Sequence, residues 1–206
     1  MITLISGTIL LSVIHAAIPN HWMPFVVLSK TEGWSLVETM WVTFISGLSH
    51  SISTVALGIL IGGIGYSLSQ EYLFVGKVIA PLLLIFMGLI YFSLDLRHSH
   101  HEHLPEKKDV KGRSKFMLIL ILSGAMFFSP CLEIESYFFT AGAQGWLGIW
   151  TVAALYPLLS VGTMLVFVTF GRKSLQGFSG AFLERHEKKI TGFTLISLGV
   201  IAYFWG

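Results

Sequence analysis

His15, His21 and His50 are imidazoles set in otherwise apolar runs, and Cys131, Glu133 and Glu135 add a thiol and two carboxylates in another such run. These residue types bind metal. Imidazole suits nickel, cobalt, zinc, copper and iron, whereas calcium and magnesium prefer all-oxygen sites, so a mixed N, O and S set points to a divalent transition metal. An ionised side chain at the centre of a bilayer costs about 2.5–3.5 kcal/mol even on a lenient scale. Placement toward lipid is therefore excluded, and the groups must face one another, a partner or a watery cavity.

The local patterns refine this. In "IHAAIPNHWMPF" (residues 14–25) His15 and His21 are six apart, about 240° around an unbroken helix, which would send them to different sides. Pro19 removes its own N–H bond and crowds the carbonyl of His15, and Pro24 does the same to Asn20, so a break there lets the two rings converge beside the Asn20 amide. In "SGLSHSISTVALG" Ser46, His50, Ser53 and Thr54 form one stripe. That stripe either holds the His50 ring by hydrogen bonds and lines a path, or serves as interhelical glue. In "FSPCLEIESYF" Cys131 and Glu135 share a face, while Glu133 points elsewhere unless a break at Pro130 turns it. Cys131 also has a plain alternative as a small buried hydrophobe.

The elements that must position these groups follow from composition. Of 206 residues 54% are hydrophobic and 12% charged, with mean hydropathy +0.76, which no water-soluble surface of this size supports. The chain is read as an all-α polytopic membrane protein. A net charge of +2 leaves no nucleic-acid footprint. One cysteine excludes an intrachain disulfide, an internal two-thiol relay and a Cys-rich zinc module. Residues 1–13 carry no positive n-region, so Met1 is expected in the mature chain.

Six apolar stretches are long enough to span, at roughly 3–28, 37–64, 73–95, 116–139, 144–170 and 189–206. Lys and Arg concentrate in the 97–115 and 171–189 loops, which places both loops and Lys30 inside and both termini outside. Two three-span halves, 1–96 and 116–206, then flank the 97–115 loop in opposite orientations, a 3+3 inverted repeat. Aligning "KVIAPLLLIFMGLIYF" (77–92) on "KKITGFTLISLGVIAY" (188–203) matches Lys77 with Lys188, Leu84 with Leu195, Ile85 with Ile196 and Gly88 with Gly199.

"HAAIPNH" resembles the H-x4-D-H motif of the nickel/cobalt transporter families, with Asn20 in place of the aspartate, and "LSHSISTV" is similar to their second histidine motif. The layout also resembles the wider lysine-exporter superfamily. The resemblance implies His15, Asn20, His21 and His50 as the metal path.

The expectation is a secondary transporter of a divalent transition metal such as nickel or cobalt, with zinc, manganese and iron as further candidates. No fixed cofactor is expected. Metal ligands are assigned to His15, Asn20, His21, His50, Cys131, Glu133 and Glu135. His98, His100, His101 and His103 in the inner loop would buffer metal where it is collected, which favours export. A proton competing for the same lone pairs offers a coupling route. Neither a G-x4-G-K-[ST] loop nor an HExxH pair occurs, so ATP coupling would need another subunit and the chain is not read as an enzyme. The alternatives are a metal-dependent intramembrane enzyme and a membrane redox or accessory subunit. Partners are the lipid bilayer and the ion, with a homo-oligomer left open, in the cytoplasmic membrane of a bacterium. Trp22, Trp34, Trp41, Trp146, Trp150 and Trp205 are expected mostly at the interfaces.

Overall fold

The computed structural model describes residues 1–72, 74–97, 115–129, 131–174 and 181–205. Among these residues the chain is helical without strands: α1 Ile2–Ala17, α2 Pro19–Thr31, α3 Leu36–Glu71, a π-helical turn Val75–Ile79, α4 Ala80–Arg97, α5 Lys115–Phe127, α6 Leu132–Ala143, α7 Trp146–Ser174 and α8 Ala181–Trp205. The histidines His98, His100, His101 and His103 and the expected helix breaker Pro130 lie outside the described residues.

The first apolar run is two helices because a residue before proline is driven out of the helical region. Ile18 is extended (φ −63°, ψ 131°), and Pro19 opens α2, where its missing N–H would be unpaired anyway. Two sequence expectations change here. The His15 carbonyl is not freed, since it accepts the Ile18 N–H at 3.2 Å. Nor does Pro24 break the chain: it sits inside α2, which runs on to Thr31.

A second interruption separates α5 from α6, with Cys131 extended (φ −99°, ψ 107°) and the two helices bent by 49°. α3 starts on a capping box. The Ser35 hydroxyl accepts the Glu38 N–H and the Glu38 carboxylate accepts the Ser35 N–H at 2.8 Å, so two orphan donors of the first turn are satisfied.

Four helical stretches are long and apolar enough to cross a membrane: Ile2–Thr31, Leu36–Glu71, Val75–Ser93 and Trp146–Lys173. A fifth arises if the bent pair α5 and α6 counts as one. The expected sixth, α8, is not among them. Its first turns carry Glu184, Arg185, Glu187, Lys188 and Lys189, which shorten the uncharged run.

α4 packs along α8, α3 along α5, α6 and α7, and α1 along α7 and α8. The α4–α8 approach is close enough to require glycine. A Cβ on Gly88 would lie 2.6 Å from the Gly192 carbonyl oxygen and 2.7 Å from Ile196, and one on Gly199 would lie 2.7 Å from both Ile85 and the Pro81 carbonyl oxygen. Leu84 and Leu195 are fully buried.

One buried cluster gathers Leu4, Leu11, Leu84, Cys131, Phe138, Tyr156 and Leu195; another gathers Ala16, Trp22, Phe25, Trp34, Met164 and Val168. Trp22 and Trp34 are thus core residues rather than interface anchors. The Trp22 indole donates to the Ala17 carbonyl at 2.9 Å and packs by Gly171, and the Trp34 carbonyl accepts from Arg172 at 2.6 Å. Trp41, Trp146 and Trp150 are exposed, and the side chain of Trp205 is outside the description.

Gly88→Val should overpack the α4–α8 contact and destabilise the chain by about 1–3 kcal/mol. Gly124→Ala, whose Cβ would meet nothing within 4 Å, should be neutral or stabilising. Thermal unfolding of both in detergent checks this.

Candidate metal centre

The chain interruptions bring the centre together. His15 ends α1, His21 lies in the first turn of α2, His50 lies in α3, and Cys131 precedes α6. One donor atom from each lies within 4.8 Å of all the others, and all four side chains are buried. Cys131 Sγ stands 3.0 Å from His15 Nε2 and 3.2 Å from His50 Nε2. The His15 and His21 rings meet edge to face at 4.2 Å between centroids, and His21 and His50 lie 5.4 Å apart.

The outer nitrogens decide the tautomers. His50 Nδ1 faces the Met126 carbonyl at 3.0 Å. A carbonyl only accepts, so Nδ1 carries the proton and neutral His50 presents its Nε2 lone pair inward. His15 Nδ1 faces Glu133 Oε1 at 2.8 Å, while the other Glu133 oxygen accepts from the Tyr91 hydroxyl at 2.8 Å. The His15 ring is therefore oriented by a carboxylate that accepts from Nδ1–H, as metal-bound histidines commonly are.

Two imidazole Nε2 atoms thus converge on one sulfur. With both rings neutral, a single thiol proton satisfies only one of the two lone pairs, whereas a cation satisfies both and engages the thiolate. His21 Nδ1 is buried without a hydrogen-bond partner, a further lone pair or N–H in the same enclosure. Ordinary Zn–N and Zn–S bonds give tetrahedron edges of about 3.4–3.6 Å. The observed S···N separations are a few tenths of an ångström shorter, an adjustment a side chain makes by a small rotation.

The remaining expected ligands fall out differently. Glu133 is an outer partner of His15. Glu135 is buried and neither carboxylate oxygen has a hydrogen-bond partner, but it is not one of the four. Asn20 is exposed and stands outside the enclosed set, because the turn at Ile18–Pro19 faces His21 inward and its neighbour outward.

The Ser46, Ser53 and Thr54 stripe does not hold the His50 ring, which a backbone carbonyl of α5 does instead. Ser46 bonds the Ser123 hydroxyl at 3.1 Å, Ser53 donates to the His50 carbonyl at 2.9 Å, and Thr54 is buried beside the Tyr156 hydroxyl. Sequence reasoning missed Tyr91, the Met126 carbonyl and Tyr156, whose ring lies 6.4 Å from that of His15. Only the phenols carried any signal, as polar tips inside apolar runs; a carbonyl carries none.

No family model matches this chain, no curated protein matches its sequence, and no solved structure matches it.

Glu133→Gln keeps the shape but removes the charge behind His15. It should weaken cobalt(II) binding about 10–100-fold, read by titrating the thiolate-to-cobalt absorption of purified protein. Tyr91→Phe should give a smaller change of the same sign.

Proposed function

We propose that the chain is a secondary transporter of a divalent transition metal, nickel or cobalt before zinc, iron or manganese, and that His15, His21, His50 and Cys131 are its ion position. The observation that carries this is the convergence of two Nε2 atoms, on rings tied down at their Nδ1 ends, on one buried sulfur. A thiolate there and the Glu133 carboxylate behind it supply two negative charges, the count a divalent cation needs to be neutral in an apolar surrounding.

The distribution of side chains supports a membrane setting. Polar groups (His15, Ser46, His50, Thr54, Glu133) are enclosed, while large apolar ones (Leu60, Phe86, Leu147, Leu158, Phe170) stand bare on the outside, the reverse of a water-soluble domain. α8 shares this pattern at Phe193, Val200 and Phe204, in favour of six spans.

A 3+3 inverted repeat is supported by the α4–α8 contact. The register that aligns Gly88 with Gly199 also aligns Ile85 with Ile196 and Pro81 with Gly192, and Gly88 meets residues 192 and 196 while Gly199 meets residues 81 and 85. The same register carries Pro19 onto Pro130, so the two interrupted spans correspond. Basic residues in 97–115 and in 171–189, the latter including the end of α7 and the start of α8, favour a cytoplasmic side for both segments and an outer side for the termini. The bacterial cytoplasmic membrane is the setting that fits, with export favoured by the histidine-rich inner loop.

A fixed structural ion is the competing reading, because four protein donors can close a tetrahedral shell. The two part on release. Liposomes carrying the protein should move nickel or cobalt, and His15→Ala and His50→Ala should abolish flux. Metal retained in stoichiometric amount through purification, with no flux, would leave only the structural ion. Acidification should weaken cobalt binding, because protons compete for the same imidazole and thiolate lone pairs.

A further inference from the structure

Two clefts of about 200 Å³ each open at the end of the bundle that carries Met1 and the α6–α7 turn, and they share Thr140, Gln144 and Ala202. Along α6, Glu133, Tyr137, Thr140 and Gln144 recur at intervals of four, three and four residues, so they form one face. Gln144 and Thr140 line both clefts, Tyr137 lines one of them, and Glu133 holds His15. Tyr137 and Glu133 are one turn apart, about 6 Å along the helix. A file of polar side chains therefore runs along one face of α6 from the clefts to the partner of His15, and the buried Tyr137 ring stands within it.

Tyr137 is buried at 4% exposure, and its hydroxyl donates to the Leu4 carbonyl of α1 at 2.9 Å. The phenol reaches that far because residue 7 is glycine: a Cβ there would collide with the Tyr137 hydroxyl. The neighbouring cleft is lined by Lys77, whose ammonium repels a cation, whereas the cleft over Tyr137 is lined by Met1, Thr3, Leu4 and Leu198.

We propose that the cleft over Tyr137 is the cation's passage between the four donors and the Met1 end of the bundle, and that Tyr137, latched on the Leu4 carbonyl, is its gate. This rests on reading the four donors as an ion position. The gate is held by the hydroxyl's bond to the Leu4 carbonyl, with Thr8 beside it on the same acceptor, so a rotation of the phenol opens the way without unfolding either helix.

The test uses Cys131, the chain's one thiol, as reporter in the full chain in detergent. Its modification rate with the small cationic reagent 2-aminoethyl methanethiosulfonate measures access to the centre, whether or not metal binds. Tyr137→Ala should raise that rate at least about tenfold, as expected when a local closure worth more than a kilocalorie is removed. Gly7→Ala, which displaces the hydroxyl without touching α6, should raise it as well and add nothing in the Tyr137→Ala background. Phe25→Ala, a comparable aromatic truncation in the opposite core cluster, should leave it near the wild-type rate. Unchanged labelling in both Tyr137→Ala and Gly7→Ala, or equal acceleration by Phe25→Ala, overturns the gate. Absence of cobalt binding in every protein would instead remove the ion position, with the labelling rates still deciding whether the passage exists.

Discussion

The structure depends on one constraint: three imidazoles and a thiol are buried side by side, so partners for their polar atoms must come from the protein or from what it encloses. Unsatisfied buried polar groups cost about 1–3 kcal/mol apiece, so four at one place dictate what surrounds them. The outer nitrogens are tied to Glu133 and to the Met126 carbonyl. Once those are fixed, the inner lone pairs have no direction left but toward Cys131.

The chain meets this demand by interrupting helices rather than by bending them. An unbroken first span would separate His15 from His21; the extended residue at Ile18 instead stacks the end of one helix on the start of the next and brings the rings edge to face. The extended Cys131 does the same between α5 and α6, presenting the sulfur inward and leaving the following turn free to aim Glu133 at His15. The long α3, pinned at its start by the Ser35–Glu38 cap and the Lys115–Glu38 ion pair, spans between the two interruptions and supplies His50.

Close glycine contacts complete the arrangement. Where the hydrophobic effect offers nothing between helices in lipid, packing must come from backbone approach, and the α4–α8 contact achieves it at Gly88, Gly192 and Gly199. That rigid pair forms one side of the bundle, and α4 carries Tyr91, whose hydroxyl completes the Glu133 carboxylate. A helix-packing contact thus places the partner of the carboxylate that stands behind His15.

The sequence by itself determined the helical class, the apolar runs and four of the residues that meet, because burial of an imidazole or thiol among leucines is a cost visible in one dimension. It also placed the first interruption, since proline acts on its immediate neighbours. It erred at Asn20, judged from its neighbours in the motif, and at Pro24, judged from proline chemistry alone; of the two readings of the His50 stripe the interhelical one holds, through the Ser46–Ser123 bond. Only the tertiary structure decided that Glu133 stands behind His15, that a carbonyl orients His50, and that Trp22 and Trp34 are core. Those outcomes depend on groups more than seventy residues apart in the chain. Helical period governs a turn or two; which residue closes a hydrogen bond across the bundle is set by how eight helices come to rest against one another.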